Sequence, residues 1–206
     1  INTETDIFII SVKDDMIGEL AEALSAHGTL MAHTSGATDL STLLNYTDKA
    51  GVFYPLQTFS KTRELDFSTV PLCIEGADRS IEKQLIELAQ TVSNNVYKVD
   101  SEQRRVLHLS AVFACNFPNY LYAAAERLLA GSNMKFEMLR PLILETAQKV
   151  QTHLPGQVQT GPAVRNDEDT MEVHLDMLEN EPELKKIYRL LSQEIIKNNN
   201  AGPRHG

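Results

Sequence analysis

The stretch 100–130 has the apolar periodicity of one long helix. At 100° per residue, its apolar side chains form two stripes on roughly opposite sides of the helix. One stripe holds Leu107, Ala111, Ala114, Pro118, Tyr122, Ala125 and Leu129, and the other holds Phe113, Phe117, Ala124 and Leu128. A helix that is apolar on two sides is buried between two bodies. We therefore expect this helix to leave one domain and to form the core of a second, with a kink at Pro118.

A third line of side chains on the same helix is polar, and it carries His108, Asn116 and Asn119. His108 and Asn119 are almost three full turns apart, so both side chains should point to the same side of the helix. Buried polar groups need partners, and here a ligand could supply them. His108 is either a general acid or base or a structural histidine with a protein partner, and the two asparagines share this ambiguity.

Before this helix, residues 1–99 alternate between strand patterns and helix patterns. The strand patterns cover 6–12, 29–34, 51–54, 70–75 and 95–99. Such alternation is typical of a doubly wound α/β protein with a parallel sheet. Residues 100–206 contain only helix patterns. The sequence therefore predicts an α/β fold in which a parallel sheet is followed by an all-helical C-terminal domain, with the boundary near Asp100 and the long helix joining the two.

Ligands of open α/β sheets bind outside the carboxyl ends of the strands, so the loops that follow the strands are the candidate site. Thr34 and Ser35, after the second strand, can hold the amide of a cofactor or an oxygen of a substrate, although hydroxyl residues before a helix are also ordinary caps. The loops carry Val12 and Lys13 after the first strand, His33, Thr34, Ser35 and Gly36 after the second, Gln57 and Thr58 after the third, and 76–78 after the fourth.

Phosphate recognition has little support in the sequence. No Gly-x-Gly-x-x-Gly motif occurs, so the usual loop that cradles a dinucleotide pyrophosphate is missing from this sequence. Arg165, in the helical half, can bring a guanidinium to an anionic substrate, or it can form a surface ion pair beside a helix cap.

The charge balance argues against nucleic acid as a partner. Lys and Arg number 19 against 28 Asp and Glu, and no basic run is dense enough to follow a phosphate backbone. The apolar runs are far shorter than the roughly 20 residues that span a bilayer, so we expect no membrane association. Cys73 and Cys115 make neither a disulfide framework nor a metal site, which favours a cytoplasmic location.

Several motifs together resemble a known family. They are Asp6-Ile-Phe-Ile-Ile-Ser-Val-Lys-Asp-Asp15, His33-Thr-Ser-Gly36, Tyr54-Pro-Leu-Gln-Thr-Phe59, Ala114-Cys-Asn-Phe-Pro-Asn119, Pro141-Leu-Ile-Leu-Glu-Thr146 and Thr160-Gly-Pro-Ala-Val-Arg-Asn-Asp167. The chain resembles Rossmann-like proteins with an all-helical C-terminal domain of unknown function. These proteins are described as NADP-dependent oxidoreductases and as distant relatives of pyrroline-5-carboxylate reductase, ketopantoate reductase and 6-phosphogluconate dehydrogenase.

The resemblance implies a different role for each of the two parts of the chain. Residues 1–99 would be the later part of a Rossmann-type nucleotide-binding domain whose glycine-rich turn precedes Ile1, and 100–206 a helical domain for substrate binding and homodimerisation. Val12, Lys13 and His33 to Gly36 would line the nicotinamide end of NADP or NAD. The long helix would face a small-molecule substrate.

We therefore expect an NAD(P)-dependent oxidoreductase that transfers a hydride to or from a small polar substrate. Its candidate catalytic residues are His108, Asn116 and Asn119, and its candidate substrate-binding residues are Gln57, Thr58 and Arg165. The alternative is a non-catalytic Rossmann-like sensor or scaffold protein, because the fold alone does not separate the two.

Overall fold

The computed structural model describes residues 5–60 and 62–200. The chain divides into two compact units, Ile1–Asn119 and Tyr120–Gly206. The domain boundary near Asp100 stays a prediction.

The first unit is built on a five-stranded sheet within the described residues. Its strands lie in the order β1-β2-β3-β4-β5. Strands β1, β2 and β3 are parallel, β4 and β5 are parallel to each other, and β3 pairs with β4 in the antiparallel sense. The strands are β1 (Ile7–Ile10), β2 (Leu30–His33), β3 (Ala50–Pro55), β4 (Leu72–Gly76) and β5 (Val96–Lys98).

The reversal at β4 has a local cause. Parallel neighbours need a crossover connection, which is usually a helix. Among the described residues between β3 and β4, the structure has only a short 3₁₀ turn, Phe67–Thr69. The α/β class is confirmed, but the expectation of an all-parallel sheet is wrong for this pair. In consequence the loop 76–78 lies at the opposite edge of the sheet from the loops that follow β1, β2 and β3.

Helices cover both faces of this sheet. On one face, α1 and α2 bury Ile17 and Leu43 against Met31 and Val52. On the other face, α3 buries apolar side chains such as Leu85. The helices are α1 (Ile17–Leu24), α2 (Ser41–Leu44) and α3 (Arg79–Gln90).

The predicted long helix is present as α4 (Ser101–Ala111), a π-turn (Val112–Asn116) and α5 (Phe117–Ala130). A capping box starts α4: Gln103 N–H donates to Asp100 Oδ1 at 2.8 Å, and Asp100 N–H donates to Gln103 Oε1 at 3.1 Å. Pro118 lacks an N–H and its ring crowds the preceding turn. The helix widens just before it, where Phe117 N–H donates to the carbonyl of Val112. The proline is thus accommodated by a π-turn.

The second unit contains helices only, within its described residues. Its small core joins Ala124 of α5 to Leu178 and Leu184, and His174 Nδ1 lies 2.8 Å from Tyr188 Oη. The other helices are α6 (Arg140–Thr152), α7 (Pro162–Arg165), α8 (Glu168–Met177) and α9 (Pro182–Asn200). Over residues 5–60 and 62–200, no helix has an apolar stretch long enough to cross a membrane.

Candidate functional site

A pocket of about 460 Å³ lies at the carboxyl ends of β1, β2 and β3. This is the edge at which open α/β sheets bind their ligands. It is lined by Ser11 and Asp14 after β1, Thr34, Ser35, Gly36 and Ala37 after β2, Tyr54, Pro55, Gln57 and Phe59 at the end of β3 and beyond it, and His108 of α4. We call it the strand-end pocket.

A second pocket of about 390 Å³ adjoins the first along α4, and we call it the helix-side pocket. The two share a common wall of Tyr54, Gln57, Phe59 and His108. The helix-side pocket adds Leu56, Thr58, Ala111, Cys115 and Asn116. His108 therefore borders two neighbouring spaces, each within the size range of small-molecule sites.

Tyr54 and His108 form the centre of this wall. The Tyr54 hydroxyl lies 3.1 Å from His108 Nδ1, and the two rings meet edge to face with their centroids 6.1 Å apart. Burial raises the pKa of Tyr54, so its phenol stays protonated at neutral pH. The other ring nitrogen of His108, Nε2, has no hydrogen-bond partner in the part of the chain that the structure describes. That nitrogen is free to exchange a proton with a ligand.

Gly36 allows the loop after β2 to approach this pair closely. A Cβ at this position would lie 2.5 Å from His108 Nδ1 and 2.8 Å from Tyr54 Cζ. Both distances are far inside van der Waals contact. The backbone at Gly36 is therefore packed directly against the imidazole and the phenol, and only glycine fits there without movement.

His33, at the end of β2, lies behind the pocket. Its side chain is fully buried, and Nδ1 accepts a hydrogen bond from the Ser35 N–H at 3.2 Å. Burial, and next the nearby charge of Arg104, lower the pKa of His33 to about 4. The imidazole is neutral at physiological pH, and it shapes the turn that presents Ser35 and Gly36. A direct cofactor contact by His33 stays a prediction.

Most of the predicted site residues meet at the two pockets. Thr34, Ser35, Gly36 and Gln57 line the strand-end pocket, Thr58 and Asn116 line the helix-side pocket, and His108 lines both. Val12 and Lys13 are exposed on the loop after β1, whereas their neighbours Ser11 and Asp14 line the pocket.

The structure does not bring Asn119 to either pocket. Its side chain is exposed, and the π-turn lies between it and His108. A π-turn holds one more residue than an α-turn, which sets the following side chains back by about 100° around the axis. Regular α-helical spacing predicts that the two residues share a side of the helix. Because of the π-turn, they do not. Arg165, in the second unit, lies 3.7 Å from Asp167, and its role in substrate binding stays a prediction.

The sequence interpretation assigned no role to Tyr54, Ser11, Asp14 and Phe59, although the motifs that carry the resemblance contain all four residues. An available signal was the position of Tyr54, a hydroxyl-bearing side chain near the end of a buried strand. The partnership of Tyr54 with His108 had no sequence signal, because it depends on where α4 crosses the sheet.

The lining groups suit the nicotinamide end of a nicotinamide cofactor. Ser11, Thr34 and Gln57 offer hydroxyl and amide groups that match a carboxamide, and the ring of Phe59 offers an aromatic face. Asp14 is the one charged side chain of the described strand-end lining, and the lining contains no Lys or Arg. None of the described lining residues supplies a counter-charge to a pyrophosphate, whereas several match the nicotinamide end.

A mixed sheet between helices, with a polar pocket at its strand ends and a second unit whose described residues form only helices and turns, defines a Rossmann-like class of protein. Residues 70–195 match the family DUF2520, described as a domain of unknown function. A presumed NADP oxidoreductase from Bacteroides fragilis has 42% sequence identity and a TM-score of 0.89, with 96% of this chain and 77% of that chain covered. The chain belongs to the DUF2520 family, and the resemblance inferred from its motifs is confirmed.

Two other solved structures share the fold at low identity. A protein from Thermotoga maritima is 18% identical, with a TM-score of 0.75 and coverage of 97% of this chain and 81% of that one. A presumed oxidoreductase from Mycobacterium avium is 12% identical, with a TM-score of 0.61 and coverage of 97% and 79%. No protein with curated annotation matches the chain.

Proposed function

We propose that this protein is an NAD- or NADP-dependent oxidoreductase that acts on a small polar substrate. The observation that carries the proposal is the position of His108, which borders both pockets and leaves Nε2 without a protein partner among the described residues. The relative from Bacteroides fragilis, named as a presumed NADP oxidoreductase, supports the same class.

In this proposal the nicotinamide end lies in the strand-end pocket and the substrate in the helix-side pocket. The cofactor supplies the hydride chemistry when it is bound. Ser11, Thr34 and Gln57 orient the carboxamide, and Thr58 and Asn116 hold polar atoms of the substrate.

His108 transfers the proton. As an acid, His108 carries a proton on each ring nitrogen: Nδ1–H donates to the oxygen of the Tyr54 hydroxyl, which fixes the plane of the ring, and Nε2 holds the proton that is transferred. Nε2 gives this proton to a substrate oxygen or nitrogen during reduction, which leaves a neutral imidazole, and it takes a proton back during oxidation. Tyr54 thus orients His108, as the third group of a catalytic triad orients the base.

The test uses the full-length natural protein, reduced and oxidised nicotinamide dinucleotides, and a panel of small aldehydes, ketones, imines and alcohols. Absorbance of the reduced nicotinamide reports turnover, and calorimetry reports nucleotide binding. His108→Ala should lower turnover by on the order of a hundredfold and leave nucleotide affinity nearly unchanged.

His153→Ala is the matched control, because His153 is an exposed histidine whose ring, among the described residues, bonds only to Thr152. Full turnover in His108→Ala, or a wild-type protein that binds neither nucleotide, would contradict the proposal. Tight nucleotide binding with no turnover of any compound would favour the sensor or scaffold alternative.

A further inference from the structure

A buried arginine lies one helical turn before His108. The Arg104 side chain is fully buried, and its Nη1 donates to Glu75 Oε2 on β4. Its Nη2 donates to the carbonyl oxygen of Thr38 at 2.6 Å and to Ser101 Oγ at 3.1 Å. The guanidinium is a rigid planar fork, so these contacts fix its direction as well as its charge.

Three consecutive residues of the loop after β2 are tied to α4 by these and neighbouring contacts. Two of the ties use the backbone of the loop, and one uses a side chain. They join the carbonyl of Thr38 to Arg104, the carboxylate of Asp39 to Arg105 at 2.8 Å, and the N–H of Leu40 to Ser101 Oγ at 3.1 Å. The Ser101 hydroxyl also donates to Glu75 Oε2 at 2.8 Å. We call residues 38–40 the tied segment.

The contacts between the tied segment and α4 lie close in sequence to two residues of the candidate site, one on the loop and one on the helix. Gly36 lies two residues before the tied segment, and His108 lies four residues after Arg104, on the same side of α4. Between them is the close approach of Gly36 to the His108 ring. A shift of α4 relative to the loop would open or close that contact and would move Nδ1 relative to the Tyr54 hydroxyl.

We propose that Arg104 is a positioning residue, which sets the distance between the loop 34–37 and His108 by bridging Glu75 and the carbonyl of Thr38. The effect on turnover rests on the function proposed above. The geometry that it sets can be measured without any reaction.

The neighbouring Arg105 provides a contrast on the same helix. The Arg104 side chain is fully buried, whereas 50% of the Arg105 side chain is exposed and its partner Asp39 is 43% exposed. Water and salt screen the exposed pair, and such pairs hold geometry weakly. The buried fork is not screened in this way. Arg105 is therefore the matched control for Arg104.

The experiment compares Arg104→Lys with Arg105→Lys in the full chain. Lysine keeps the charge and loses the fork, so it cannot bridge Glu75 and Thr38 with fixed geometry. Histidine-selective ¹⁵N NMR reports the tautomer of His108 and the hydrogen bond at its Nδ1. We expect Arg104→Lys to shift the His108 ring signals and to lower turnover by on the order of tenfold or more, with nucleotide affinity unchanged. Arg105→Lys should change neither.

A folded Arg104→Lys protein with wild-type His108 signals would overturn the proposal. If Arg104→Lys does not fold, Glu75→Gln removes the negative charge at the other end of the same bridge, and the same signals decide. If the wild-type protein has no turnover but the signals move in Arg104→Lys, the positioning role stands and the proposed function fails. If turnover is present and the signals and rates do not move, the positioning role fails alone.

Discussion

Replacement of Gly36 by alanine tests the packing at the centre of the site. The added Cβ would lie 2.5 Å from His108 Nδ1 and 2.8 Å from His108 Cγ and Tyr54 Cζ, whereas ordinary contact begins at 3.4 Å. The imidazole or the loop must therefore move by about 0.9 Å. Overpacking of this kind costs about 1–3 kcal/mol of folding free energy. A displacement near 1 Å at a reacting group can lower turnover by about a hundredfold.

Urea unfolding would measure the stability of Gly36→Ala, and the ¹⁵N signals of His108 would report its displacement. Gly18→Ala is the matched control. Gly18 lies in α1, and a Cβ there would be 3.7 Å from the Tyr46 hydroxyl oxygen, which is an ordinary contact distance. Alanine is favoured over glycine in a helix by about 0.5–1 kcal/mol, so the control should be neutral or slightly stabilising.

The double variant Gly36→Ala/His108→Ala identifies the clashing partner. If the imidazole is the obstacle, its truncation should relieve part of the cost, and the two changes should couple by about 0.5–3 kcal/mol. Unchanged unfolding and unchanged His108 signals in Gly36→Ala would refute the packing argument. Strict additivity in the double variant would show that the obstacle is elsewhere.

Two further predictions concern acid stability and self-association. Burial holds the pKa of His33 at about 4, below its ordinary 6.5, so the unfolded chain binds more protons between these values and the free energy of unfolding should fall as the pH is lowered through this window. The slope is at most about 1.4 kcal/mol per pH unit, and urea titrations should show it flattened in His33→Gln; an equal slope in that variant would contradict the assignment. In α6 no described residue is buried, and Leu142 and Leu144, on opposite sides of the helix, are 62% and 58% exposed, so we expect a homodimer through the helical half. Sedimentation equilibrium should show a dimer that Leu142→Glu weakens, and a wild-type monomer at tens of micromolar would count against it.

Apolar periodicity predicted the elements of this fold well, because burial of a stripe or of a whole strand leaves a direct trace in the sequence. The helical stretch after Asp100 is an example. The direction of β4 left no such trace, since Leu72 and Ile74 would be equally apolar in either direction. The segment between β3 and β4, which has no helix pattern, was the available sign of the reversal.

The site was predicted in part for a related reason. Strand ends bring Thr34, Ser35 and Gln57 to one edge whatever the details of packing. The burial of Arg104 depends on Glu75, which lies in a distant strand, and a single arginine in a polar helix stretch normally indicates a solvated face. The π-turn was hidden as well, because Pro118 predicts a disturbance of the helix without its form.

The contacts between the tied segment and α4 constrain the amino acid at some of these positions and not at others. Two of its contacts use a carbonyl and an N–H, which almost every amino acid supplies, so the identities of residues 38 and 40 are only weakly constrained by them. Proline is the exception at position 40, because it has no N–H to donate. Selection on this junction should fall on Arg104 and Ser101. In an alignment of relatives we expect Arg104 and Ser101 to be retained while residue 38 varies.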